Sequence, residues 1–158
     1  MVFQSVGMAA ALALGSGLTG ALQAQTNRLH LGPRISYQFD LEDIGLGAQF
    51  SVPIARQLEF YPSFDYFFVG EGSFWQLNAD LKWRVASESA NWLYLGAGLN
   101  LARASSGPAD DTQAGLNLFV GAESLRGRVH PFGEFRFTAK DGSTAQLAAG
   151  LNFTLGRH

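Results

Sequence analysis

Residues Trp75–Val85 read WQLNADLKWRV, with Trp75, Leu77, Ala79, Leu81, Trp83 and Val85 apolar and Gln76, Asn78, Asp80, Lys82 and Arg84 polar between them. A period of two is that of a β-strand with one oily face and one wet face. The two tryptophans stand eight residues apart on the oily face. At ~3.3 Å per residue and a tilt of roughly 40°, they lie about 20 Å apart along a barrel axis. That is close to the height of the apolar band of a barrel that crosses a membrane, about 25 Å with aromatic residues at both edges.

The same alternation recurs along the chain and predicts seven further strands: Arg28–Phe39, Ile44–Val52, Leu58–Phe68, Trp92–Ala102, Thr112–Glu123, Val129–Ala139 and Thr144–Leu155. Most connections are short polar turns, with Pro53, Gly70, Gly72 and Asp141-Gly142 as breakers. Ala104–Asp111, broken by Gly107-Pro108, reads as the longest connection. Val129–Ala139 is the least regular strand, because Pro131 and Gly133 weaken its pattern. Eight strands of about ten residues joined by hairpins predict an all-β fold, an eight-stranded antiparallel up-and-down transmembrane β-barrel.

Periodicity alone does not say which face points outward. A soluble barrel, with the apolar face inside, could hold a hydrophobic ligand. Here the apolar face is bulky, with Trp75, Trp83, Phe60, Phe64, Phe68, Phe135, Phe137 and Phe153. The wet face is rich in glycine: Gly32, Gly45, Gly47, Gly96, Gly98, Gly115, Gly121 and Gly150. Small residues belong where space is short, which is the interior of so narrow a barrel. Symmetric turns set Asp80 and Lys82 opposite Gly98 and Gly96, and Tyr94 and Phe119 opposite Gly121 and Gly96, so large faces small across the interior.

The polar-in reading gathers Arg34, Lys82, Arg84 and Arg136 with Glu59, Asp65, Asp80, Glu123 and Glu134 in the lumen. Buried charges must be paired, so this set reads first as a salt-bridged filling and only second as a polar pathway. The turn at Val69–Ser73 brings Glu59 opposite Lys82 or Arg84. On the outer face, Tyr37, Phe39, Tyr66, Phe68, Trp75, Trp83 and Trp92 are the expected aromatic girdle.

Composition narrows the function. Across 158 residues the formal net charge is −2, which does not suggest nucleic-acid binding, and there is no cysteine, so no disulfide framework, thiolate metal site or lipoprotein anchor is expected. His30 and His130 fall near one rim, where Glu123 is the only nearby third ligand, and hydrogen-bonded rim histidines are the expectation rather than a metal site. No cofactor and no catalytic set is expected: the apolar faces carry no His, Ser or acid within the strands, as an enzyme acting on lipid would need. The turns are asymmetric in charge. One end holds Asp40, Glu42, Asp43, Glu71, Asp110, Asp111 and Asp141, and the other Arg56, Arg126 and Arg128, with Arg157 beyond. Such carboxylates read as solvated loops, or as ligands for divalent cations that bridge lipopolysaccharide.

With these features the chain resembles the small eight-stranded outer-membrane barrels, the OmpA/OmpX-type and opacity-type proteins, from about Gln25 onward. The resemblance implies a bacterial outer-membrane location, a monomer embedded in outer-membrane lipid and lipopolysaccharide, assembly by the barrel-assembly machinery, and a structural or envelope role. A narrow porin-like channel is the first alternative. Two features differ from that group. Its last strand usually ends at an aromatic residue that the assembly machinery reads, whereas here Phe153 is followed by Thr154-Leu155-Gly156-Arg157-His158. The outward loops are also very short, which argues against an adhesin.

Residues 1–24 read as a secretory signal peptide ahead of a barrel domain over 25–158. An Ala/Leu run at Met8–Leu14 precedes small residues and Ala21-Leu22-Gln23-Ala24-Gln25, with cleavage expected after Ala24. N-terminal sequencing of the membrane-associated protein should therefore begin at Gln25. Retention of Met1 there would remove the signal peptide from the picture.

Overall fold

The computed structural model describes residues 29–90 and 92–156. The expected signal peptide, Arg28, Asn91 and Arg157 lie outside them. Eight strands follow in chain order: β1 (Leu29–Gln38), β2 (Asp43–Pro53), β3 (Leu58–Phe67), β4 (Ser73–Arg84), β5 (Leu93–Ser106), β6 (Ala109–Glu123), β7 (Val129–Ala139) and β8 (Thr144–Leu155). Each pairs antiparallel with its neighbour, and β8 returns to β1 to close the barrel. Closure leaves no strand edge unpaired, so the backbone satisfies its own hydrogen bonds around the whole wall.

The alternation read from the sequence is the alternation of the wall. Along β7 inward and outward residues alternate without a break, so the expected irregularity is corrected: Pro131 and Gly133 both point outward and leave the inward series His130, Phe132, Glu134, Arg136 and Thr138 intact. The second correction concerns Ala104–Asp111. Instead of a long connection, β5 and β6 stay paired to Ser106 opposite Ala109, and Gly107-Pro108 makes a two-residue turn. Gly107 has φ of +60°, and a glycine at the first central position followed by proline suits the tight primed turn that matches strand twist. The breaker marked the tip of a hairpin rather than the middle of a loop.

Polarity is inverted relative to a water-soluble protein. Arg34, Asp65, Asp80, Lys82 and Arg136 are buried inside, whereas Leu99, Leu116 and Leu118 are each 61% exposed on the outside. The inward face is where space is short, and register decides how it is filled. Asp80 lies opposite Gly98 and Lys82 opposite Gly96, while Tyr94 faces Gly121 and Phe119 faces Gly96. A Cβ at Gly121 would run into the Tyr94 phenol, and one at Gly96 into the Phe119 ring. The absent side chain is the space that the aromatic group occupies.

Gly133 offers the contrast, since it faces outward with nothing within 4 Å of a would-be Cβ. Gly121→Ala should cost ~1–3 kcal/mol through overpacking. Gly133→Ala should be neutral or gain roughly 0.5 kcal/mol from a stiffer unfolded chain. Urea titration of the two refolded variants checks this, and equal effects would contradict the packing described.

Candidate functional site: the ion-paired barrel interior

The interior is built in layers between two ends. The terminal end carries the start of β1, the end of β8 and the β2–β3, β4–β5 and β6–β7 turns. The distal end carries the other four hairpins.

Toward the terminal end, two carboxylates and two cations close a ring. Lys82 Nζ lies 3.0 Å from Glu59 and 3.2 Å from Glu123. Arg84 places Nε 2.6 Å from Glu59 and Nη2 2.7 Å from Glu123. Glu59 also accepts from the Ser51 hydroxyl, and Glu123 from Asn152 Nδ2 at 2.9 Å. The expected choice of Lys82 or Arg84 for Glu59 thus resolves as both. Lys82 is directly cross-strand from Glu59, and Arg84 is two residues further along the same inward face.

Nearer the middle, five groups form a chain with carboxylates at both ends. Asp65 pairs with Arg34 at 3.1 Å, Arg34 reaches Glu134 at 3.6 Å, Glu134 binds Arg136 at 2.9 Å, and Arg136 ends on Asp80 at 2.6 Å. Neutral donors fill the remaining lone pairs: Ser36 to Asp65 at 2.7 Å, Asn117 to Asp80 at 2.8 Å, and Tyr94 to Glu134 at 3.0 Å. Charges this deep survive only with such partners. All nine residues expected in the lumen are thereby brought into two clusters.

An aromatic layer joins the two clusters. Tyr61, Tyr94 and Phe119 pack together, with ring centroids 5.9 and 6.3 Å apart across Phe119. Lys82 of the ring sits 4.5 Å from the Tyr61 centroid and 4.9 Å from that of Tyr94. Arg136 of the chain lies 4.6 Å from the Phe119 centroid. Both cations therefore rest on the negative faces of π-systems as well as on carboxylates.

Two further layers complete the filling. An amide ladder runs through Gln38, Gln76, Asn100, Asn78 and Asn117, with bonds of 2.8, 3.3, 2.7 and 2.9 Å. Phe67, Phe74 and Ala102 then seal the distal end with an apolar plug. Inward parity was the available signal for Phe74 and Ala102, which share a face with Gln76 and Asn100. Starting the fourth strand at Trp75 rather than Ser73 hid Phe74.

At the terminal rim, the His30 and His130 rings stack with centroids 5.0 Å apart, and His30 Nδ1 is 3.9 Å from Glu123. His130 uses both nitrogens on protein oxygens, Ser124 O at 2.7 Å and Thr154 Oγ1 at 2.8 Å. Among the described residues no three ligating side chains gather around a metal position. Of the girdle residues, Tyr37, Phe39, Tyr66, Phe68 and Trp75 stand on the outer wall toward the distal end, and Trp83 and Trp92 toward the terminal end. Tyr37 and Phe39 meet edge to face at 5.2 Å, and Trp92 Nε1 donates to Ser89 O at 3.0 Å.

No family model and no curated protein matches the sequence. Solved structures do match in fold. The N-terminal β-barrel domain of OprF from Pseudomonas aeruginosa superposes with a TM-score of 0.64 at 14% identity, over 80% of this chain and 98% of that one. Neisserial surface protein A gives 0.57 at 15% identity, over 81% and 95%. Ail, the attachment invasion locus protein of Yersinia pestis, gives 0.50 at 14%, over 80% and 95%. The chain thus has the fold of the eight-stranded outer-membrane barrels.

Removing one carboxylate from the ring takes a partner from the buried Lys82 and the part-buried Arg84 at once and leaves both on the other. Glu123→Gln should cost ~3–5 kcal/mol, the usual penalty for breaking a buried pair. Glu59→Gln should cost less, because Glu59 is nearer water, with a side chain 9% exposed against 0% for Glu123. Denaturant midpoints of the refolded variants give the order.

Proposed function

We propose that the protein is a bacterial outer-membrane β-barrel with a structural or envelope role and a plugged, non-conducting lumen. The observation that carries this reading is the inverted polarity. A wall of leucine, phenylalanine and tryptophan faces outward around an interior in which Arg136 is fully buried. In water such an exterior would aggregate, and in a bilayer it is the surface that lipid requires. The aromatic residues at both ends of the wall fit the two interfaces. The likeness in fold to OprF's barrel domain and Neisserial surface protein A supports the same location.

The plugged lumen is supported by the filling. Arg34, Arg136, Tyr61, Tyr94, Phe67 and Lys82 are each less than 2% exposed, so water does not reach the layers they form. A conducting channel needs a wet lining. Among the described residues the buried carboxylates are each held by at least one arginine or lysine, as a structural filling requires, and no enzymatic step is assigned. A monomer in contact with lipid and lipopolysaccharide, delivered by the barrel-assembly machinery, completes it. Ail has been solved with the heparin analogue sucrose octasulfate, a polyanion. The acidic hairpins here do not favour a ligand of that charge.

Leu99→Arg separates this reading from a soluble barrel. In a bilayer an arginine in mid-wall should cost ~2–4 kcal/mol. On a water-facing surface the same change stays within about 0.5 kcal/mol. Folding titrations into lipid vesicles, with sedimentation of detergent-free protein as the companion, give the answer. For the plug, planar-bilayer recordings of refolded protein should show no stable steps. Reproducible conductance would favour the narrow channel instead.

A further inference from the structure

The distal mouth of the barrel holds a hollow that the envelope role leaves unused. Its floor is Phe74, the outermost residue of the apolar plug, with Val69 beside it and Leu41 on the opposite wall. The long β5–β6 hairpin forms the remaining side, so three of the four distal hairpins contribute. Leu41 is 36% exposed although it lines this hollow.

The chemistry of the rim decides what would cover that floor. Glu71, Asp110 and Asp111 line it. Asp110 is engaged by Arg103 at 2.8 Å, and Asp111 accepts only from the Gln113 amide at 3.1 Å. Glu71 makes no ion pair among the described residues. The surroundings have the same sign: the distal end carries Asp40, Glu42, Asp43, Glu71, Asp110, Asp111 and Asp141 against Arg103 and Lys140. The Lys140 ammonium lies 5.7 Å from the centre of the Phe74 ring, so that ring already attracts a cation. Half-burial pulls Lys140 below the usual lysine range, although Asp40 and Asp111 oppose this.

We propose that this mouth binds a basic peptide segment, with an aliphatic or aromatic side chain seated on Phe74, Val69 and Leu41 and neighbouring Lys or Arg side chains on Glu71 and Asp111. An apolar floor alone would take any oily group. Carboxylates alone would take any cation. The two together select a ligand carrying both within a few ångströms, which alternating basic and apolar residues do and a metal ion or polyamine does not. Apolar anchors in the centre with charges at the rim is the usual anatomy of a peptide site. The site needs only the closed barrel, whatever surrounds its outer wall.

The test uses the refolded protein in zwitterionic detergent at low salt, followed by amide chemical shifts. The probes are acetyl-KLRLK-amide, its glycine counterpart acetyl-KGRGK-amide, spermine and magnesium. The leucine peptide is expected to move the amides of Leu41, Val69, Glu71, Phe74 and Asp111, and to bind at least about fivefold more tightly than the glycine peptide, from burial of even one leucine. Glu71→Gln combined with Asp111→Asn should weaken it at least about fivefold, the sum of two exposed ion pairs. Leu41→Ser, at an exposed turn, should weaken the leucine peptide and leave the glycine peptide unchanged. Unaltered strand amides in both variants show that the barrel is intact. Equal binding of all four probes would reduce the site to an acidic surface and overturn the proposal. So would shifts confined to the outer wall, or variants that bind as the wild type does.

Discussion

The structure depends on one constraint: the interior of this eight-stranded barrel is narrow enough for side chains to fill and too polar to be left unpaired. Every strand turns every second side chain inward, and polar or charged residues predominate among the buried ones, so the wall delivers its charges into a space a few side chains wide. Isolated, each would cost far more than the fold could supply. The solution is reciprocal. Glu59 and Glu123 each serve both Lys82 and Arg84, and Glu134 links Arg34 to Arg136. Cations then lean on Tyr61, Tyr94 and Phe119, which fill the gaps that salt bridges leave.

Space is allocated strand by strand. Asp80, Lys82, Tyr94 and Phe119 each have a position without a side chain directly across from them. The glycines of β5 and β6 are those positions, and their place in the register matters more than their flexibility. Composition therefore reads backwards from a soluble protein. Leucine marks the exterior, glycine marks where the interior is fullest, and the charged residues are the core. That inversion makes lipid the natural surrounding of the wall, and leaves only the hairpins to meet anything dissolved in water.

Much of this was legible in the chain. Eight alternating segments, their antiparallel pairing, the inward face and the large-against-small register all follow from period two and short turns, because a one-residue slip would turn every side chain to the wrong face. Where the reading departed from the structure, a breaker was weighed by residue type rather than by position. Gly107-Pro108 looked like a loop and is a hairpin tip. Pro131 looked disruptive, yet it points outward and leaves the inward series of β7 untouched. Phe74 lies outside the alternation that begins at Trp75, because the strand itself starts two residues earlier, at Ser73.

The sequence by itself determined which residues enter the lumen, since parity is a local property and strand pairing preserves it. It did not determine which of them meet. Glu59 and Lys82 are paired by the hairpin that joins their strands, so local register predicts them. Asp80 and Arg136 sit on strands separated by two others, and Arg34 and Asp65 on strands separated by one. Those contacts reach over intervening strands. They form only once the sheet has curled inward, because its curvature and stagger decide which side chains arrive at the same height.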